Sequence, residues 1–281
     1  MLGKLFKYEW KSGSRLFLLI HGGVLLFALL SRLFLTINGG LNQAMATSEN
    51  HIISMIASMI IFGIVVFISC TAIFTYVYIA YRFYKNIFTD QGYLTNTLPV
   101  TPSQIIVSKM LNALLWIIID LVVLAFSLCI IFVDNLQFFS DFFHAMGEVF
   151  SLIGHLPSTG WLIILCIILS PFLMILHLYF SVALGNLIAS HKVIGSIIAY
   201  FGSYTILQII STMVVAFTYN NSSAITKLSA DVSSFTPAEN MAYVINLLNP
   251  ALLCTLGLCV TFLLLFWFTT RYIMTRKLNL Q

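Results

Sequence analysis

Residues 82–109 read RFYKNIFTDQGYLTNTLPVTPSQIIVSK. This polar stretch interrupts a chain that is otherwise mostly apolar, with long hydrophobic runs over residues 52–80 and 105–133 on its two sides. Each run exceeds the roughly 20 apolar residues that a membrane-spanning helix needs. The stretch is therefore a loop between two membrane helices. Within it, Phe83 to Leu98 predicts a short helix with a break at Gly92. Pro99 ends that helix, because the residue before a proline avoids the helical region. Thr101-Pro102-Ser103-Gln104 is a helix start. Thr101 can cap, Pro102 suits the first helical position, and Gln104 can reach back to the cap. The third membrane helix thus begins before the bilayer and enters it as a rod, along which a push on the loop would be transmitted.

Composition carries the same reading to the whole chain. Of 281 residues, 60% are hydrophobic and 8% charged, with a mean hydropathy of +1.02. Soluble domains carry roughly 25% charged residues. So little charge cannot cover a water-facing surface, and the solvent must be mostly lipid. Six segments have spanning length: 16–37, 52–80, 105–133, 161–189, 193–217 and 249–271. Their continuity excludes the alternating strands of a barrel. The first run is longer than a signal-peptide core and lacks a small-x-small cleavage site, so it reads as a retained anchor. Cys70, Cys129, Cys166, Cys254 and Cys259 all fall in apolar runs and form no CxxC pair, which suits apolar packing better than metal or disulfide chemistry.

The loops orient the chain. With the N-terminus in the cytoplasm, that side holds Lys4, Lys7, Lys11, Arg15, Arg82, Lys85, Lys109, Lys192, Arg271, Arg276 and Lys277, against Lys227 outside. Basic residues stay inside, so both termini are expected to be cytoplasmic. Glu49, Asp134, Asp141, Glu148, Asp231 and Glu239 fall outside. The net charge of +4 follows from this anchoring and calls for no nucleic-acid partner. In residues 1–15, Leu2, Leu5, Phe6 and Trp10 recur at helical spacing among lysines, which predicts an amphipathic helix in the membrane interface. The aromatic belt from Phe74 to Tyr84, beside Arg82 and Lys85, fits a helix leaving the inner leaflet.

Three intramembrane polar residues stand out: Arg32, Asp120 and His177. The first helix is interrupted in character by Gly22–Gly23 and carries polar His21 and Arg32. Arg32 lies about 25 Å above Arg15 and can snorkel to the outer headgroups. Asp120 lies about 16 Å above Lys109, near the bilayer midplane, where a carboxylate needs a partner, a cavity or a proton. Arg32 is the one long cation at reachable depth, so an Arg32–Asp120 contact is an expectation to test. His177 lies about 24 Å below Trp161, at a depth similar to His21. Two histidines without a third ligand make a poor metal site, and packing or a hydrogen bond suits them better.

Residues 134–160 place phenylalanines among acids and predict an interfacial helix at the outer leaflet, or the rim of a lateral opening for an apolar substrate. Pro171 predicts a kink in the fourth helix. Ser181, Gly185 and Ala189 form a small-xxx-small row on the fourth helix, and Gly195, Ala199 and Ser203 form another on the fifth. Such rows let backbones approach closely, either within this hairpin or across a dimer seam. Residues 218–248 read as an extracellular segment, polar and then apolar, with the sixth helix starting near Pro250. Asn220 and Asn221 match the glycosylation pattern.

The stretch RFYKNIFTDQGYLTNTLPVTPSQIIVSKMLNALLW resembles the first cytoplasmic loop of bacterial ABC transporter permeases of the type-2 exporter membrane class. A subgroup of that family has an aromatic-basic start, a T-D-x-G-Y-L core, then T-L-P-V, then a helix opening with Ser and Lys. The opening MLGKLFKYEWKSGSRLF resembles the same subgroup, and the six-helix topology extends the resemblance over residues 1–281 as a single permease domain. The resemblance implies a coupling helix within 82–104 that fits a groove in a separate ATP-binding subunit, with Thr89, Asp90, Gln91, Gly92, Tyr93 and Leu94 at the matching positions. It also implies a second, smaller cytoplasmic contact at Ser190–Lys192, short re-entrant helices within 218–248, and placement in the bacterial cell membrane, where the glycosylation pattern carries little meaning.

No GxxxxGK[ST], HExxH or GxSxG motif occurs in the chain. The expectation is therefore a non-catalytic all-α polytopic membrane subunit with no cofactor of its own. ATP and Mg would sit on two copies of a partner ATPase, and a second permease copy or paralogue would complete the pathway. The expected substrate is amphipathic or hydrophobic: a peptide, a lipid or a toxic compound. The alternative is an ion-coupled secondary transporter using Asp120. Its weakness is that the chain has no other intramembrane carboxylate and no obvious inverted repeat with broken helices.

Overall fold

The computed structural model describes residues 2–37, 51–97, 99–132, 137–153, 158–188, 191–220 and 237–276. They form helices α1 (Leu2–Ile37), α2 (His51–Phe88), α3 (Asp90–Thr97), α4 (Pro102–Phe132), α5 (Gln137–Ile153), α6 (Ser158–Gly185), α7 (Lys192–Asn220) and α8 (Pro237–Arg276). Six stretches are long and apolar enough to cross a membrane: α1, α2, α4, α6, Lys192–Thr218 of α7 and Leu248–Arg276 of α8. The six expected spans are thus all present in an all-helical, multi-pass architecture. Lys227, Asn221, Ala189, Ser190, Glu49, Asp134, Asp231 and Lys277 lie outside the described residues.

Within the spans, hydroxyl side chains turn back onto their own helix. Ser58 donates to the Ser54 carbonyl, Ser69 to Val65, Thr71 to Phe67 and Thr205 to Phe201, each at 2.8 Å. Lipid offers a hydroxyl no partner, and the carbonyl four residues back is the nearest acceptor. The same device repairs α6 at Pro171. Proline has no N–H to give the Ile167 carbonyl, and the Ser170 hydroxyl donates to that oxygen at 2.8 Å instead.

Three boundaries differ from the sequence reading. No break separates residues 2–15 from the first span, because α1 runs unbroken from Leu2 to Ile37. It also passes through Gly22 and Gly23, where an added Cβ would meet nothing within 4 Å. Glycine weakens a helix by only about 1 kcal/mol, less than the packing along the rest of α1 returns. The sixth helix begins at Pro237, well before Pro250, and carries Pro250 in its interior. The break after α2 falls at Thr89 rather than Gly92. Asp90 opens the first turn of α3, where an acidic side chain suits the positive end of the helix dipole.

The chain divides into two units. The first holds residues 1–81 and 104–150: α1, α2 up to Tyr81, α4 from Gln104, and α5 to Phe150. α1 buries Gly13, Phe17, His21, Val24, Ala28, Ser31 and Leu35, a single stripe at helical spacing. At one end of this unit Ala28, Leu35, Ala57, Ile64 and Ile131 form an apolar core, with Phe27 stacked on Phe67 at 5.4 Å. In α5, Phe138, Phe142 and Phe143 are exposed.

The second unit holds residues 82–103 and 151–281. Here α6 packs on α8 and α7, and α7 on α8. The small rows anticipated on α6 and α7 meet each other. A Cβ on Gly185 would fall on the Ser196 backbone, and one on Gly195 would come within 2.9 Å of the Gly185 carbonyl oxygen. The rows therefore close this hairpin. At the other end of α6, the Thr159 hydroxyl donates to Asn249 Oδ1 at 2.8 Å, and Asn249 Nδ2 donates to the Ser158 hydroxyl at 3.3 Å. Asn249→Leu strands the buried Thr159 hydroxyl and is expected to cost about 1–3 kcal/mol. Adding Thr159→Val should return most of that loss in thermal unfolding of the detergent-solubilised protein.

Candidate functional site

Two places in the molecule gather chemistry. The first is α3 with the end of α2, in the second unit. Phe83, Ile87 and Phe88 are buried, and Phe83 stacks on Tyr179 of α6 at 3.9 Å with ring planes 10° apart. Phe83 also meets Phe88 at 6.1 Å. The chain turns at Thr89, whose hydroxyl bonds the Lys85 carbonyl and whose carbonyl accepts from Gly92 N–H at 2.7 Å. The Thr95 hydroxyl contacts the Asn86 carbonyl at 2.9 Å and so holds α3 back against α2. Gly92 is buried and Thr89 partly so, while Asp90, Gln91, Tyr93 and Leu94 are exposed, with Tyr93 at 66% and Leu94 at 69%. The six residues singled out in sequence thus split by role. Thr89 and Gly92 shape the turn, and the other four present an acid, an amide, a phenol and an isobutyl group outward. Phe88, which could have lain on headgroups, instead anchors the turn.

The second place lies in the first unit, between α1 and α4. Asp120 is 6% exposed and His21 5%. His21 Nε2 and Asp120 Oδ1 are 2.6 Å apart. The other ring nitrogen, Nδ1, lies 2.7 Å from the Phe17 carbonyl oxygen. A carbonyl can only accept, so Nδ1 carries a hydrogen. One further proton lies between Nε2 and the carboxyl, and the pair is either imidazolium–carboxylate or imidazole–carboxylic acid. Both forms have zero net charge, which suits a low-dielectric surround.

An aromatic stack joins this pair to a second one. Trp116 slots between Trp10, at 4.4 Å, and Phe17, at 4.1 Å, with ring planes 11° and 14° from its own. Tyr78 of α2 meets Phe17 edge-on at 5.1 Å. His21 lies parallel to Trp116 at 6.0 Å. Beyond Trp10, Glu9 and Lys109 form an ion pair at 3.0 Å, with Lys109 7% exposed. On α1 the row is Glu9, Gly13, Phe17, His21. On α4 it is Ser108, Asn112, Trp116, Asp120, with Lys109 beside it. Both rows step by four residues, the spacing that keeps side chains on one helix face.

The expected Arg32–Asp120 contact is not made. The Arg32 Nη1 donates to the Ile131 carbonyl at 3.3 Å, about 16 Å along α4 from Asp120. Asp120's partner is His21, which is short but at the right depth. Sequence reasoning missed this pair and the Glu9–Lys109 pair, although His21 and Lys109 both stood out as polar. The available signal was spacing: His21 follows Glu9 by nearly the same number of residues as Asp120 follows Lys109. His177 lies in the second unit. Its Nε2 bonds the Ser203 hydroxyl at 2.7 Å, and its ring stacks on Tyr200 at 4.7 Å and Phe266 at 5.1 Å. The Ser203 hydroxyl also lies 2.6 Å from the Ala199 carbonyl, an acceptor one turn back on its own helix.

Comparison with protein-family models, curated proteins and solved structures finds no match to this chain.

Proposed function

We propose that the chain is the membrane-embedded permease subunit of an ATP-driven exporter, coupled through α3 to a separate ATPase on the cytoplasmic side. One observation carries the reading. A short helix between two long spans has its shape fixed by buried Phe83, Ile87 and Phe88, yet leaves Asp90, Gln91, Tyr93 and Leu94 outside. A docking element needs a rigid base and a chemically mixed exposed face, and α3 has both. Two ATPase copies and a second permease copy or paralogue would complete the assembly in the bacterial cell membrane. Hydrolysis would occur in the partner, with ATP and Mg bound there, and the cargo would be an amphipathic or hydrophobic compound.

The test is co-purification of the tagged full-length chain with the candidate ATPase, with and without Asp90→Arg and Tyr93→Ala. The wild type is expected to bring the ATPase along, and the double change to lower its retention at least about tenfold, the equivalent of roughly 1.4 kcal/mol. A wild-type chain that retains no ATP-hydrolysing subunit would sink the reading. The buried His21–Asp120 pair favours a second one, ion-coupled secondary transport. Transport that follows a proton gradient and needs no ATP would establish that one instead.

A further inference from the structure

Measured along α4, the His21–Asp120 pair lies midway between two points that hold a basic side chain. Lys109 is about 16 Å to one side, and the Ile131 carbonyl that holds Arg32 is about 16 Å to the other. Their separation, about 33 Å, matches the roughly 30 Å of a hydrocarbon core. The pair therefore sits at mid-depth of any bilayer that α4 crosses.

Hydrogen-bonding groups lead to it. Ser108 Oγ, Asn112 Nδ2 and Trp116 Nε1 lie on the same face of α4 as Asp120, and none has a hydrogen-bond partner among the described residues. Thr75 Oγ1 on α2 is likewise buried and unpartnered. α1 and α2 run antiparallel, since Phe17 meets Tyr78 while Phe27 meets Phe67. Thr75, one turn before Tyr78, therefore lies level with His21, one turn after Phe17. All four residues are 5% exposed or less. Buried polar groups without protein partners are ordinarily satisfied by internal water. Successive members of the α4 row are about 6 Å apart, the reach of one water bonded at both ends.

We propose that the His21–Asp120 pair is a proton-binding site, reached by water along the Ser108–Asn112–Trp116 face of α4, that takes up one proton on acidification and loosens α1 from α4. The step balances simply. A proton from bulk water adds to the Asp120 carboxylate, both imidazole nitrogens keep theirs, and the net charge of the pair goes from zero to +1. The charge-assisted hydrogen bond between the two side chains becomes a weaker one to a neutral acid. The opposite step, loss of the shared proton, would set an imidazole lone pair against a carboxylate at 2.6 Å. The surroundings favour the cation. The Trp116 and Phe17 rings lie at 6.0 and 6.1 Å from the imidazole, with planes 12° and 25° from its own, and aromatic rings near a cation attract it. Tyr78 on α2 meets Phe17 beside the pair, and Glu9, Arg32 and Lys109 stand farther along α1 and α4. Glu9 and Lys109 offset each other, and Arg32 is about 16 Å away. The proposal does not rest on the exporter reading, because proton uptake by this unit requires neither ATP nor a partner.

The test uses the full-length chain in lipid nanodiscs with Trp161→Phe and Trp267→Phe, which leaves Trp10 and Trp116 as reporters. Emission is expected to follow a single-proton transition as the pH is lowered. The transition should vanish in His21→Gln and in Asp120→Asn. In parallel, infrared difference spectra of the unmutated protein should gain one carboxylic-acid C=O band on acidification. That band should shift in D2O, be missing from Asp120→Asn, and move in Asp120→Glu, which keeps a carboxyl if the asparagine variant fails to fold. A flat emission profile without the infrared band would overturn the proposal. So would a transition that survives both substitutions, or a band that persists unchanged in the Asp120 variants.

Discussion

Replacing Gly185 with leucine is expected to take the C-terminal helices apart. A Cβ at this position would fall on the backbone nitrogen and Cα of Ser196, and a Cβ on the neighbouring Gly195 would crowd the Gly185 carbonyl. Side-chain crowding can relax by changing rotamer, but a backbone atom moves only if its helix moves. α6 and α7 would have to separate where they turn. The His177–Ser203 hydrogen bond and the His177–Tyr200 stack lie farther along the same two helices and depend on that spacing. Overpacking a core ordinarily costs about 1–3 kcal/mol, and a clash with backbone should reach at least the upper end. Gly202→Leu is the matched control. It lies on the same hairpin, a Cβ there meets nothing within 4 Å, and a change within about 0.5 kcal/mol is expected. The measurement is the unfolding midpoint of both variants in mixed micelles. Equal midpoints would mean that the glycine crossing does not hold the hairpin.

The second large effect should come from splitting the His21–Asp120 pair. Asp120→Leu or His21→Leu alone leaves a buried polar partner with nothing to bond, at a cost of about 3–5 kcal/mol. Making both changes together removes two buried polar groups and leaves an apolar contact between α1 and α4. The double variant should therefore be more stable than either single one and approach the unmodified chain, because isosteric apolar replacement of a buried pair is often close to neutral. Arg32→Gln combined with Asp120→Leu should be additive, since the two groups are about 16 Å apart along α4. A double-mutant cycle distinguishes these cases. Strong coupling between Arg32 and Asp120, or none between His21 and Asp120, would contradict the geometry.

These two sites mark how far the sequence could be read. Hydrophobic length alone located six spans, because lipid leaves a backbone few alternatives to the helix. Small-residue spacing located the faces of α6 and α7, but not which surface they would meet. That depended on whether Gly185 and Gly195 come level across a short turn, which is a matter of three-dimensional register. The stretch between the second and third spans was legible as a short helix flanked by aromatics. The break was misplaced because glycine was credited with stopping a helix that Asp90, at a favourable N-terminal position, was already starting. The partner of Asp120 was missed for a different reason. Depth in the sequence singles out a long cation able to reach, whereas His21 needs no reach because α1 and α4 lie side by side. Two offsets in the sequence, Glu9 to His21 and Lys109 to Asp120, are nearly equal. They become informative only once those two helices are known to be neighbours.

The slot between Trp10 and Phe17 has a consequence during synthesis. The ring that fills it belongs to Trp116, and the acid that meets His21 lies 99 residues further along the chain. At about 5–20 residues per second, a ribosome needs about 5–20 s to make that stretch. Throughout that interval the nascent first helix has an imidazole and an unfilled aromatic notch, and the α4 side chains that receive them do not yet exist. Its early residence at the membrane is therefore a waiting period that ends when α4 arrives.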